Sequence, residues 1–201
     1  MIDESFHIPV LTEEVIDLLL VKKSGTFLDV TSGFGGHSAA ILEELNGGSL
    51  IATDQDPEAI RFLKSKFKTE ERISIHQARF SELHKLFSAN DFDGILADIG
   101  VSSYQLDTAE RGFSFMKDGP LDMRMNQNIG EDASSWLNNA PEQEISNIIW
   151  KYGEEKKAKR IAKAIVKARK SFKIRTTKEL AENILEETPR RFNVKKHPAT
   201  K

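Results

Sequence analysis

Four short apolar segments, each followed by an amphipathic stretch, organise the first hundred residues of this 201-residue chain. Residues 26–31, 49–54, 72–77 and 93–99 read as strands, and three of them are rich enough in β-branched and aromatic residues for buried parallel strands. Helical patterns at 38–45, 57–67 and 81–87 separate them, and 12–20 reads as another capped helix ahead of the first strand. Asp56 is placed to cap the helix at 57–67, and Pro57 suits its first turn. Strand and helix in alternation predict an α/β fold, a doubly wound parallel sheet.

Beyond Ile99 the pattern changes. Residues 100–132 form a long irregular stretch, which is uncommon in a compact domain unless it has a function. From Ala133 onward the reading is helical. A helix at 141–152 ends at Gly153, a natural residue to follow a helix, and one at 154–172 puts Ile161, Ile165, Ala168 and Phe172 on one face. A last helix at 177–187 has Thr176 or Thr177 as its cap and Pro189 as its stop.

Charge divides the chain the same way. Residues 1–153 carry 13 Lys/Arg against 25 Asp/Glu, whereas residues 154–201 carry 16 against 6. A basic segment of this kind is either a solvated helix or a surface that meets phosphates and releases their counterions. There are no cysteines, so disulfides and thiolate metal sites are excluded, and no metal site is expected. No apolar run approaches the ~20 residues that span a bilayer, and Asp3 and Glu4 do not open a secretory signal. A cytoplasmic location with no membrane partner is the expectation.

The turn after the first strand, Asp29 to His37, carries Gly33, Gly35 and Gly36 and opens a helix. Glycines let backbone amides approach a ligand, and this edge of a parallel sheet is where nucleotide-like ligands bind. No Lys-Ser/Thr pair follows, so it is not a phosphate-cradling P-loop, nor is it a clean GxGxxG. Asp54 ends the second strand, 21 residues after Gly33, where a carboxylate can accept hydrogen bonds from both ribose hydroxyls. Dehydrogenases use the same device, so Asp54 alone does not choose a cofactor. Phe80, after the third strand, is placed either to stack on adenine or to fill the core. Asp98, ending the apolar fourth strand, needs a partner to offset desolvation, and a ligand or an amide is the natural one.

The most specific string runs from Asp98-Ile99-Gly100-Val101-Ser102-Ser103 through Gln105-Leu106-Asp107 to Ala109-Glu110-Arg111-Gly112-Phe113-Ser114-Phe115, and Asp118-Gly119-Pro120-Leu121-Asp122-Met123-Arg124-Met125 completes it. With these motifs the chain resembles the bacterial 16S ribosomal-RNA cytosine-N4 methyltransferases, the MraW family, from His7 to Thr200. The resemblance implies a class I, Rossmann-like S-adenosylmethionine-dependent methyltransferase core at 1–102. It implies a mostly helical, substrate-recognising insertion at 103–191 and the start of a return to the core at 192–201. It implies that Gly35, Gly36 and His37 hold the methionine end of the cofactor and that Asp54 holds the ribose. Phe80 would line the adenine pocket, and Asp98 and Gln105 would complete the site near the methyl group. Asp98 is also the candidate catalytic residue; the acceptor that orients the cytosine amine is either Asp98 or a backbone carbonyl of residues 99–101. The implied partner is 16S rRNA within the small ribosomal subunit, met by the helical insertion.

The sequence departs from that pattern in three places. Thr31 stands where class I enzymes usually carry glycine, and Tyr104 stands where relatives commonly carry proline. The chain also stops at Lys201, where relatives continue, which suggests truncation. A sheet that ended there would leave its fourth strand as an edge, so a strand-paired homodimer is one expectation. Two other function classes stay open from the residues. One is a non-catalytic RNA-binding fragment, and the other is a nicotinamide-dependent oxidoreductase, which the glycine turn and Asp54 also permit.

Overall fold

The alternating segments form one parallel four-stranded sheet in the order β3-β2-β1-β4. The computed structural model describes residues 9–19, 22–188 and 197–200. The strands are β1 (Thr26–Asp29), β2 (Ser49–Asp54), β3 (Ile73–Gln77) and β4 (Gly94–Leu96). In register, Phe27 of β1 stands between Leu50 of β2 and Gly94 of β4. Between them run α1 (Thr12–Leu19), α2 (Gly36–Glu44) and α3 (Pro57–Lys66).

The core of this first unit is Phe27, Ile41, Leu42, Leu45 and Leu50, with Ile16, Leu19, Phe67, Ile73 and Leu96 packed around it. Gly94 is required by that packing. A Cβ there would sit 2.7 Å from Leu19 Cδ1 and 3.0 Å from Phe27 Cδ1. Asp56 caps α3 as expected, accepting the Glu58 N–H at 2.9 Å, with Pro57 in the first turn.

Three boundaries differ from the sequence reading. Strand β1 stops at Asp29 and β4 at Leu96, because the chain leaves the ladder to form the turns that carry Thr31 and Asp98. The helix read at 81–87 is a 3-10 segment, Phe80–Lys85. Among the described residues β3 has one strand neighbour, and half-buried and exposed residues alternate along most of it.

The chain divides into two compact units, Met1–Ser103 and Tyr104–Lys201. Among the described residues the second is helical: α4 (Ser103–Asp107, at its boundary), α5 (Ala133–Asn139), α6 (Glu142–Gly153), α7 (Ala158–Ala168) and α8 (Thr177–Glu187). Leu121, Leu137, Ala140, Ile145, Ile161, Ala162, Ile165 and Ile174 form its core. Thr176, not Thr177, caps α8, exchanging hydrogen bonds with Glu179 in a capping box. The long helix read at 154–172 is shorter than expected. Glu154, not Gly153, takes the left-handed conformation after α6 (φ 49°), and Phe172 lies past the end of α7, half exposed.

The irregular stretch is pinned rather than loose. Buried Arg111 donates from Nη2 to the Arg124 and Met125 carbonyls at 3.1 and 2.7 Å. The Leu121 N–H donates to the Arg175 carbonyl at 2.9 Å, and Thr177 N–H to the Gly119 carbonyl at 3.0 Å. Among the described residues no helix is long and apolar enough to cross a membrane. Pro189, Leu20, His7 and most of 192–201 lie outside the described residues.

Candidate functional site

A parallel sheet brings all its strand ends to one edge, and here that edge collects acidic groups. β1 ends at Asp29, β2 at Asp54, the turn after β3 leads to Phe80, and the segment after β4 carries Asp98.

Asp54 is tied to the glycine turn. Its Oδ2 accepts the Gly33 N–H at 2.8 Å and its Oδ1 accepts the Asp56 N–H at 2.8 Å. Burial pushes the Asp54 carboxyl above the usual carboxylate range, opposed by those amides. Helix capping falls to Asp56, so the Asp54 carboxylate is not consumed by it.

The glycines of the turn have different reasons to be glycine. A Cβ on Gly35 (φ 73°) would lie 2.8 Å from Leu63 Cδ2 and from Phe67 Cε2, and one on Gly36 would lie 3.1 Å from the Pro9 ring. Gly35 is demanded by the protein's own packing and backbone, whereas Gly36 is only tightly enclosed. Gly33 (φ 50°) faces open space, with only the Thr31 carbonyl near the limit of contact.

Phe80 is 52% exposed at the start of its 3-10 segment, so of its two readings the core one is excluded. Asp98 also differs from expectation. Its side chain is 41% exposed, because β4 is short and ends before it, so desolvation does not force a partner on it. Even so, its Oδ2 lies 3.8 Å from Nε2 of the nearly buried His37, in the first turn of α2.

The buried acid is Asp29, 1% exposed. Burial raises its carboxyl from 3.8 to about 6, against the hydrogen bonds it accepts from Ser38 Oγ (2.8 Å) and Thr31 N–H (3.2 Å). Sequence reasoning passed over Asp29, although the argument applied to Asp98, an acid closing an apolar strand, fits it better. It also read Thr31 only as a missing glycine. The Thr31 hydroxyl accepts the Asp98 N–H at 2.8 Å.

In the second unit, Gln105 lies on α4 and is buried. On α7, Ile161, Ala162, Ala164 and Ile165 face the core, while Lys163 and Lys167 are exposed, as is Lys170 just beyond. Not every cation there is free to meet a ligand. Arg169 donates from Nη1 to the Leu137 and Ala140 carbonyls at the end of α5, both at 2.7 Å, and Arg160 pairs with Glu187 at 3.2 Å.

A family model described as the MraW methylase family matches residues 4–201. The chain is 48% identical over 196 residues to the ribosomal RNA small subunit methyltransferase H of Xanthomonas euvesicatoria pv. vesicatoria (strain 85-10), covering 97% of this chain and 58% of that protein. It is 47% identical over 197 residues to the protein of the same name from Stenotrophomonas maltophilia (strain K279a), covering 97% of this chain and 61% of that one. The chain thus spans about three-fifths of the length of these curated relatives. Among solved structures, a putative transferase, PH0793, from Pyrococcus horikoshii aligns with a TM-score of 0.38 at 18% identity, over 74% of this chain and 55% of that one.

Proposed function

This chain belongs to the MraW methylase family, and on that premise we propose that it binds S-adenosylmethionine at the acidic sheet edge and serves methyl transfer to N4 of a cytosine in small-subunit ribosomal RNA. The observation that carries the reading is the Asp54 carboxylate, fixed by the Gly33 and Asp56 amides at the ligand edge of the sheet. A half-buried carboxylate held in place by backbone amides at this edge suits the adjacent hydroxyls of a ribose. The exposed ring of Phe80 offers a face to adenine at the same edge. Gly35, Gly36 and His37 would hold the methionine end, and Asp98 would lie near the transferred methyl.

The cofactor supplies the electrophilic methyl group. The chain's own work is to align the acceptor amine with it and exclude water. The exocyclic amine of cytosine is a poor nucleophile, and its proton can leave after transfer. Asp98 therefore serves as an acceptor that orients the amine rather than as a strong base. The helical unit would meet the RNA through Lys163, Lys167 and Lys170, in the cytoplasm where ribosomal subunits are made.

Calorimetric titration with S-adenosylmethionine tests this. Asp54→Ala should lose a charge-assisted hydrogen bond of ~1.5–3 kcal/mol, weakening binding by roughly ten- to a hundredfold. Unchanged affinity in a folded variant removes Asp54 from the site. No saturable binding by the unsubstituted chain would favour a non-catalytic RNA-binding role.

A further inference from the structure

The backbone pairing of β1 with β4 has a gap that a side chain fills. The ladder's last backbone bond runs from the Val30 N–H to the Leu96 carbonyl at 3.0 Å. The chain then runs on toward α2, and the next N–H of the β4 segment, that of Asp98, goes to a side chain. The Thr31 hydroxyl oxygen accepts it at 2.8 Å. Thr31 is itself held: its own N–H donates to Asp29 Oδ1 at 3.2 Å, and Asp29 is anchored to α2 by Ser38 Oγ at 2.8 Å. On the far side, the Asp98 carboxylate meets His37, the residue before Ser38 on the same helix. The four contacts close a ring through the end of β1, the start of α2 and the segment after β4.

We propose that Thr31 is a positioning residue that sets where the Asp98 carboxylate stands at the sheet edge, with His37 bracing the carboxylate from α2. The inference rests on the reading that the edge binds S-adenosylmethionine with Asp98 near the methyl group. A glycine at position 31 would leave the Asp98 amide without this acceptor. The Thr31 hydroxyl oxygen thus accepts the amide that follows the last backbone bond of the ladder.

Three substitutions separate positioning from general packing. Thr31→Val keeps the shape and removes the acceptor, Thr31→Ser keeps the acceptor and removes the methyl, and Thr31→Ala removes both. The titration compares S-adenosylmethionine with 5′-methylthioadenosine, which lacks the amino-acid arm and the sulfonium charge. Thr31→Val should weaken S-adenosylmethionine about tenfold, as expected for the loss of one hydrogen bond of ordinary strength. Methylthioadenosine should bind the variant as it binds the parent chain, and Thr31→Ser should restore S-adenosylmethionine binding to within about threefold. Equal weakening of both ligands marks a merely structural Thr31 and overturns the inference, as does unchanged binding of both. An unsubstituted chain that binds neither ligand overturns the cofactor reading instead. A measurement without ligand applies even if Thr31→Val does not fold. The Asp98 amide should exchange with solvent about tenfold faster in Thr31→Ala while the Val30 amide keeps its protection. Equal protection of Asp98 in both chains also overturns it.

Discussion

The two units hold their charged groups by opposite rules. In the sheet unit the acids at the edge are tied inward: Asp29 to Ser38 and Thr31, Asp54 to Gly33 and Asp56. In the helical unit the lysines of α7 stand outward, whereas Arg111 and Arg169 are drawn into the structure. A carboxylate held by backbone amides is fixed in place and can recognise one ligand geometry. A lysine on the outer face of a helix supplies charge without geometry. The first arrangement suits a small molecule and the second a polyanion. Counting charges by segment does not separate the cations left exposed from those that hold the fold.

The largest expected effect that sharpens this contrast is at Asp29. Its carboxyl is raised from 3.8 to about 6, so the folded state binds a proton more tightly than the unfolded chain. The stability cost is absent below the unfolded value, builds as pH rises between the two, and is complete above about 6. Its size is of the order of 3 kcal/mol. Asp29→Asn keeps an acceptor for Thr31 and removes the titration. The difference in unfolding free energy between parent and variant should therefore shift by that order between pH 4 and 7, in favour of the variant at neutral pH. Denaturant titrations across the range check it, and a pH-independent difference would show that Asp29 is not the buried acid described.

Arg169→Ala should come next, at about 1–3 kcal/mol, by stripping the charged donor from two carbonyls at the end of α5. Its mark is a lower denaturation midpoint, which exposed lysines should not produce. The smallest effect on stability belongs to Lys163→Glu, Lys167→Glu and Lys170→Glu combined, which should hardly move the midpoint. RNA binding should weaken, and the slope of log affinity against log salt should become shallower by about 2, from ~0.7 per phosphate contact on a single strand. An unchanged slope would leave α7 as a solvated face and end the contrast between the units.

Much of the sheet was legible from the sequence because apolar runs and caps are local signals. The Asp56-Pro57 start of α3 and the four strands needed no tertiary information. The helical half was less so. Glu154 in the left-handed conformation beside an available Gly153 has no local signal, and we have no physical account of it. The pinning of residues 100–132 depends on Arg111 reaching carbonyls 13 and 14 residues away. At the edge, the spacing from Gly33 singled out Asp54, which does meet that turn. What it could not reveal was relative depth. Asp29 and Asp98 both close apolar runs, but β1 lies between two strands and β4, among the described residues, beside one. Burial follows the neighbour count, which is a property of strand order and not of either segment.

Strand order also decides how much chain must be gathered to build each part of the edge. Thr26 pairs with Ser49 and Leu50 with Ile73, so each of these ladders closes a loop of 23 residues. Phe27 pairs with Gly94, closing 67. By the logarithmic cost of loop closure that difference is only about 1 kcal/mol, but it falls on the shortest strand, which has three residues to repay it. Asp54 thus ends a six-residue strand paired on both sides, and Asp98 follows a three-residue one. Loosening that opens β4 first costs the edge its Asp98 carboxylate while β3, β2 and β1 stay paired around Asp54.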